Sequence, residues 1–212
     1  MGLAIRRRIR TRRRLSSTAK WGNSPFYIAL AGIVLTGVLL GSIWEAYARY
    51  AHNEYAGYFV LQYLNRYEYT SFASLLGAVL WPSMLMMLFL FYNGFSCIGF
   101  PLILMVPLLK GFSIGSISGY LYSTQGLHGM AAVLILFFLP EMIQVCAVLI
   151  LSQASATASF GLLLTHFAGQ TVNESFRLGQ MAQRLAKSII LVVLACALES
   201  ALSIVFAPIL LR

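Results

Sequence analysis

The chain has 212 residues, of which 59% are hydrophobic and only 10% charged, and its formal net charge is +9. Soluble globular domains carry about 25% charged residues, so this composition excludes an ordinary soluble protein. It predicts an all-α, polytopic membrane bundle. The positive charge raises nucleic-acid binding as a second class, and the position of that charge decides between the two.

Most of the positive charge lies in an N-terminal arm, residues 1–24. The arm contains seven arginines, one lysine and no acidic residue. No aromatic residue is interleaved between the arginines to stack on bases, so nucleic-acid binding is not indicated. Lys and Arg beside an apolar run instead hold that end of a membrane protein in the cytoplasm. We therefore expect a cytoplasmic arm that determines orientation.

Five apolar segments follow within a membrane domain of residues 25–212. An α-helix needs about 20 apolar residues to cross the hydrocarbon core, and the segments that approach this length are 25–44, 72–92, 101–122, 129–151 and 188–211. The first apolar segment is longer than that of a signal peptide, which has about 7 to 15 residues, so we expect an anchor that is retained and not cleaved. Five crossings place the N-terminus inside.

Two connecting segments differ in charge, in agreement with this orientation. Residues 45–71 carry a net charge of minus one and are predicted to lie outside the cytoplasm. Residues 152–187 carry a net charge of plus two and are predicted to be cytoplasmic. Whether a part of the second segment, such as 162–167, re-enters the membrane stays open.

The outer segment contains a repeat of aromatic residues. Tyr55, Phe59, Tyr63 and Tyr67 recur every four residues and would share one face of a helix. Aromatic rings settle at the membrane surface, so one interpretation is an interfacial anchor. The other is a docking face for an extracytoplasmic partner.

Gly111, Gly115 and Gly119 lie four residues apart in the third predicted span. Small residues at this spacing let two helices approach closely in lipid, so we predict helix-packing positions. The stretch around Ser113 also matches the G-x-S-x-G signature of serine hydrolases. No strand precedes it, and neither an aspartate nor a plausible histidine base stands at a matching depth, so a catalytic serine is not predicted.

Three charged residues fall within predicted spans: Lys110, Glu141 and Glu199. Ionisable groups in lipid are costly, and they either pair with one another or mark a functional path. Structural pairing and a proton or ion relay in a transporter are therefore both open. The chain has no aspartate, no H-E-x-x-H and no clustered metal ligands, so we predict no enzyme, no metal and no cofactor.

The third and fourth spans combine several of these residues in one order. The order is Lys110, Gly111, Gly115, Gly119, His128, Gly129 and Pro140. This combination, after the Gly99-Phe100-Pro101 entry to the third helix, resembles the stage II sporulation protein M family of integral membrane proteins.

The resemblance implies a non-enzymatic subunit that localises and assembles a peptidoglycan-degrading complex for septal thinning and forespore engulfment. Its implied partners are stage II sporulation proteins P and D, membrane-anchored hydrolases, together with the lipid bilayer; a homo-oligomer stays open. The implied location is the cell membrane, at the sporulation septum or the engulfing membrane. A transporter or permease subunit that uses Lys110, Glu141 and Glu199 is the alternative.

Overall fold

The computed structural model describes residues 25–50, 71–96, 98–168 and 174–210, and within these ranges all regular structure is helical. The helices are α1 (Pro25–Tyr50), α2 (Phe72–Asn93), α3 (Gly99–Gln125), α4 (Leu127–Ala132), a π-helical segment (Val133–Phe138), α5 (Leu139–Ala168) and α6 (Glu174–Leu210). The predicted all-α fold is confirmed.

Five stretches of the described chain are long and apolar enough to cross a membrane: Pro25–Ala48, Phe72–Asn93, Gly99–Gln125, Leu127–Leu163 and Met181–Phe206. The predicted number of spans is thereby confirmed. Short described connections join α2 to α3 and α3 to α4. We use "inner end" for the end of the bundle that holds the α2–α3 connection, which is predicted to face the cytoplasm.

The first helix extends beyond its predicted end. Because α1 continues to Tyr50, Glu45 lies within the helix instead of beginning the outer polar segment, and it is only 4% exposed. Hydropathy locates the residues that tolerate lipid, whereas a helix continues wherever its backbone hydrogen bonds continue. The four aromatic residues at 55, 59, 63 and 67 lie outside the described residues.

The largest difference concerns residues 152–187. The predicted fourth span ends at residue 151, but α5 continues to Ala168 and α6 already begins at Glu174. Residues 162–167 are thus the end of one continuous helix and not a separate re-entrant piece. The sequence is polar here although Ser152 and Gln153 are fully buried, because neighbouring helices surround this part of α5.

The turn between the third and fourth spans is much tighter than the predicted turn of residues 123–128. Only Gly126 separates α3 from α4, and its φ of 60° is a conformation that glycine adopts without strain. A Cβ atom at Gly129 would overlap the carbonyl oxygen of Leu121, so the close return of the chain requires this glycine. His128 is exposed on the same turn.

A π-helical segment, Val133–Phe138, lies directly before Pro140. Proline has no N–H to donate, and its ring collides with the carbonyl of the residue four positions earlier in a regular helix. A π turn is wider and relieves such a conflict inside an otherwise continuous helix. Because it holds an extra residue, it also rotates the following residues around the axis, and Glu141 is among the first of these.

Helix α1 packs mainly against α3, through glycines on both helices. At four positions an added Cβ would overlap a carbonyl oxygen of the other helix: Gly37, Gly41, Gly111 and Gly115. Backbones this close gain van der Waals and Cα–H···O contacts in lipid. Gly119 is less tightly packed, since its Cβ would lie 3.3 Å from the Cβ of Glu45.

The remaining four long helices share an apolar core. Several of its fully buried members lie on the inner side of the bundle centre: Leu90 of α2, Ile103 of α3, Val148 and Leu151 of α5, and Val192 of α6. Lipid is as apolar as these side chains, so their contribution comes from dense packing more than from the removal of water. They form an apolar layer on the inner side of the bundle centre, and buried polar residues such as Ser152 and Ser188 lie among and beyond them.

The glycine contact between α1 and α3 gives a direct test. Gly115→Ala should lower the free energy of unfolding by about 1 to 3 kcal/mol, because the new Cβ forces the two backbones apart. Gly32→Ala is the matched control on α1, since nothing lies within 4 Å of its added Cβ. Denaturant or thermal unfolding in mild detergent measures both; equal stability of the two variants would contradict the predicted contact.

The orientation is tested separately by a reporter fusion. An enzyme that is active only outside the cytoplasm, fused after Arg212, should be active, because an odd number of spans carries the C-terminus across the membrane. The same reporter fused after residue 168 should be inactive. Activity of the second fusion would show that the orientation is reversed.

Candidate functional site

The three intramembrane charges come together near the middle of the bundle. Lys110 lies about halfway along α3, and its Nζ is 2.6 Å from Oε2 of Glu141 on α5. The two side chains are 13% and 6% exposed. An ammonium and a carboxylate at this distance compensate each other's charge, which lowers the cost of holding either one in lipid.

Gln144 links this pair to the third charge. It lies three residues after Glu141, on the same side of α5. Its Oε1 accepts a hydrogen bond of 2.8 Å from Nζ of Lys110, and its Nε2 donates one of 3.1 Å to Oε2 of Glu199. A side-chain amide has both a donor and an acceptor, so it can bridge a cation and a carboxylate.

Sequence analysis did not identify Gln144. The available signal was its spacing of three residues from Glu141 within an otherwise apolar run, which places two polar groups on one helix face. An amide carries no net charge and is less costly in lipid than a charged group. The residue became recognisable only when Lys110 and Glu199 were found on either side of it.

Weak sulfur contacts extend the network to a fourth helix. The Sγ atom of Cys196 lies 4.0 Å from Nε2 of Gln144 and 4.0 Å from Oγ of Ser83. Both are at the long limit of a hydrogen bond to sulfur, so each contributes little by itself. Together the polar contacts connect side chains of α2, α3, α5 and α6 at one depth in the bundle.

The other sequence-predicted residues have separate positions. The Ser113 hydroxyl donates a hydrogen bond of 2.9 Å to the carbonyl oxygen of Lys110 in its own helix. Pro140 is buried beside the network, whereas His128 is exposed at the outer turn. In the part of the chain that the structure describes, no three residues of the types His, Cys, Asp and Glu are arranged to hold a metal ion.

The family model for stage II sporulation protein M matches residues 25–204, from the start of α1 to near the end of α6. The chain belongs to the stage II sporulation protein M family. Searches of curated proteins and of solved structures gave no match.

Family membership confirms the assignment made from the residues of the third and fourth spans, and it implies a role in sporulation. The stage II sporulation protein M family consists of membrane proteins and is not a known enzyme family. The match begins at Pro25, so the arginine-rich arm lies before the region that carries the family likeness. The Lys110 network lies entirely within the matched region.

A double-mutant cycle tests the Lys110–Glu141 pair. Lys110→Met leaves a carboxylate without its cation, and removal of one partner of a buried pair costs about 3 to 5 kcal/mol. Glu141→Met should be similarly destabilising, whereas the double variant should recover much of the loss because neither member of the pair is left charged without the other. Unfolding in detergent measures the coupling.

The coupling energy should be at or above the upper end of the range of about 0.5 to 3 kcal/mol for residues in contact, because each single variant leaves a buried charge that the double variant lacks. A matched control is the same cycle on Lys110 and Ser123, which lies more than three helical turns away on α3. Additive losses for Lys110 and Glu141 would contradict the pairing.

Proposed function

We propose that this protein is a non-enzymatic membrane scaffold, which localises and assembles a peptidoglycan-degrading complex at the sporulation septum. Family membership supplies the role in sporulation. Septal thinning and forespore engulfment are the processes that such a complex would serve, in the septal or engulfing membrane. The expected partners are stage II sporulation proteins P and D, which would carry the hydrolytic activity.

The observation that carries this proposal is the closed arrangement of the intramembrane charges. Lys110 is held by both Glu141 and Gln144, and Gln144 also binds the fully buried Glu199. Side chains fixed on one another in this way set the rotation and depth of the helices that carry them. A scaffold requires such a rigid arrangement because its partners must meet a constant surface.

The apolar layer on the inner side supports the same proposal. Val148 and Leu151 follow Gln144 by one and two turns, and Val192 precedes Glu199 by two turns; all three are fully buried. This apolar layer therefore lies between the polar network and the buried polar residues nearer the inner end, such as Gln153 and Ser188. A permease needs polar groups along a path through the bilayer, whereas a scaffold does not.

One observation favours the alternative of a transporter or permease subunit. Two carboxylates and one ammonium within a single hydrogen-bonded network are the components of a proton or ion relay. In that case the apolar layer would have to open during transport. The two functions differ in whether the charges themselves are needed, which provides an experimental distinction.

The first test is affinity purification of the tagged protein from sporulating cells in mild detergent. We expect stage II sporulation proteins P and D to co-purify, because a scaffold holds its enzymes in a stable complex. Gly32→Leu should retain them and Gly115→Leu should lose them, since only the second disrupts the contact of α1 with α3. Co-purification of a soluble ATPase without either hydrolase would contradict the scaffold function and favour the transporter function.

The second test uses the variant Lys110→Met with Glu141→Met, which removes the charge pair but fills its space with apolar side chains. A scaffold should keep engulfment near the wild-type level, because the helices stay packed. A relay should lose function completely while the protein remains at normal amounts in the membrane. Fluorescence microscopy of engulfment and immunoblotting of membranes give the two measurements.

A further inference from the structure

Two cations of α6 lie at the inner boundary of its membrane span. Arg184 and Lys187 are three residues apart and therefore on the same side of the helix. They precede Glu199 of the central network by 15 and 12 residues, which is about 22 and 18 Å along a helix, whereas half of a hydrocarbon core is about 15 Å. We therefore expect both cations to lie at the level of the lipid headgroups.

Within the described residues, the salt bridge joins Lys110 to Glu141. No carboxylate of these residues forms a salt bridge with Arg184. Its guanidinium donates instead to Oε1 of the neutral Gln153 on α5. A guanidinium is always charged and has five N–H donors in one plane, so this single bond leaves most of them available. Lys187 is exposed beside it.

Gln153 fixes the position of the guanidinium. It is fully buried, and its Nε2 has no hydrogen-bond partner among the described residues. Burial of an amide is costly where a polar atom lacks a hydrogen-bond partner. The amide oxygen of Gln153 does have one, the guanidinium of Arg184 at the edge of the bundle. A cation held in place before its ligand arrives loses less entropy on binding than a freely rotating one.

We propose that Arg184 and Lys187 bind the phosphate of an anionic phospholipid, and that Gln153 is the positioning residue of this site. Phosphate oxygens are the abundant anions at headgroup depth, and guanidinium binds them through paired hydrogen bonds. A second cation beside the first favours a lipid with net negative charge over a zwitterionic one. The site goes beyond scaffolding, because it makes the stability of the protein depend on the lipid around it.

Thermal unfolding in a neutral detergent tests the site on the full chain. Added phosphatidylglycerol should raise Tm in a saturable manner, because a ligand that binds only the folded state stabilises it. Phosphatidylcholine should give a clearly smaller shift. Inorganic phosphate at the same concentration should give none.

Single substitutions assign the effect to these residues. Lys187→Gln changes an exposed side chain and should remove at least half of the Tm shift with phosphatidylglycerol, and Arg184→Gln should remove nearly all of it. Arg12→Gln in the arm and Arg66→Gln in the outer segment are matched controls that should keep it.

Three results would overturn the proposal: no shift in the wild type, an undiminished shift in Lys187→Gln, or an equal shift with inorganic phosphate, which would indicate a site for soluble anions. If Arg184→Gln fails to fold, the Lys187→Gln measurement alone decides.

Discussion

A lysine ammonium near the centre of a membrane bundle requires an anionic partner, and this requirement organises the protein. Lys110 meets Glu141 at 2.6 Å and the amide oxygen of Gln144 at 2.8 Å. Because these partners lie on α5, the two helices cannot slide or rotate without exposing a charge to hydrocarbon. The bond from Gln144 to Glu199 places the same restriction on α6.

The contact between α1 and α3 uses a different physical device. No charge or hydrophobic effect drives two apolar helices together in lipid, so the glycines act by removing the atoms that would keep the backbones apart. Gly111 and Gly115 are one half of this contact, and Gly37 and Gly41 are the other. α3 therefore contacts two helices in different ways. Its glycines pack backbone to backbone against α1, and its Lys110 forms a salt bridge with Glu141 of α5.

These two devices suit a protein that holds other proteins in place. In the proposed scaffold, the inward-facing charges and the apolar layer beside them would hold the helices in place, while the hydrolytic chemistry would belong to the partners; the family is not a known enzyme family. The proposed lipid site at Arg184 would add a third fixed point, between the bundle and the surrounding leaflet. All three keep the shape of the bundle constant.

The sequence by itself determined the number of spans, the family and the three intramembrane charges, because hydrocarbon imposes a length on every helix and a cost on every charge. The tertiary structure decided which charges meet. It also revealed the roles of Gln144 and of Gly37 and Gly41, because the spacing of such residues does not by itself show which helix lies opposite. The polar part of α5 was misjudged for the same reason: hydropathy treats every residue as facing solvent or lipid, whereas Ser152 and Gln153 face protein.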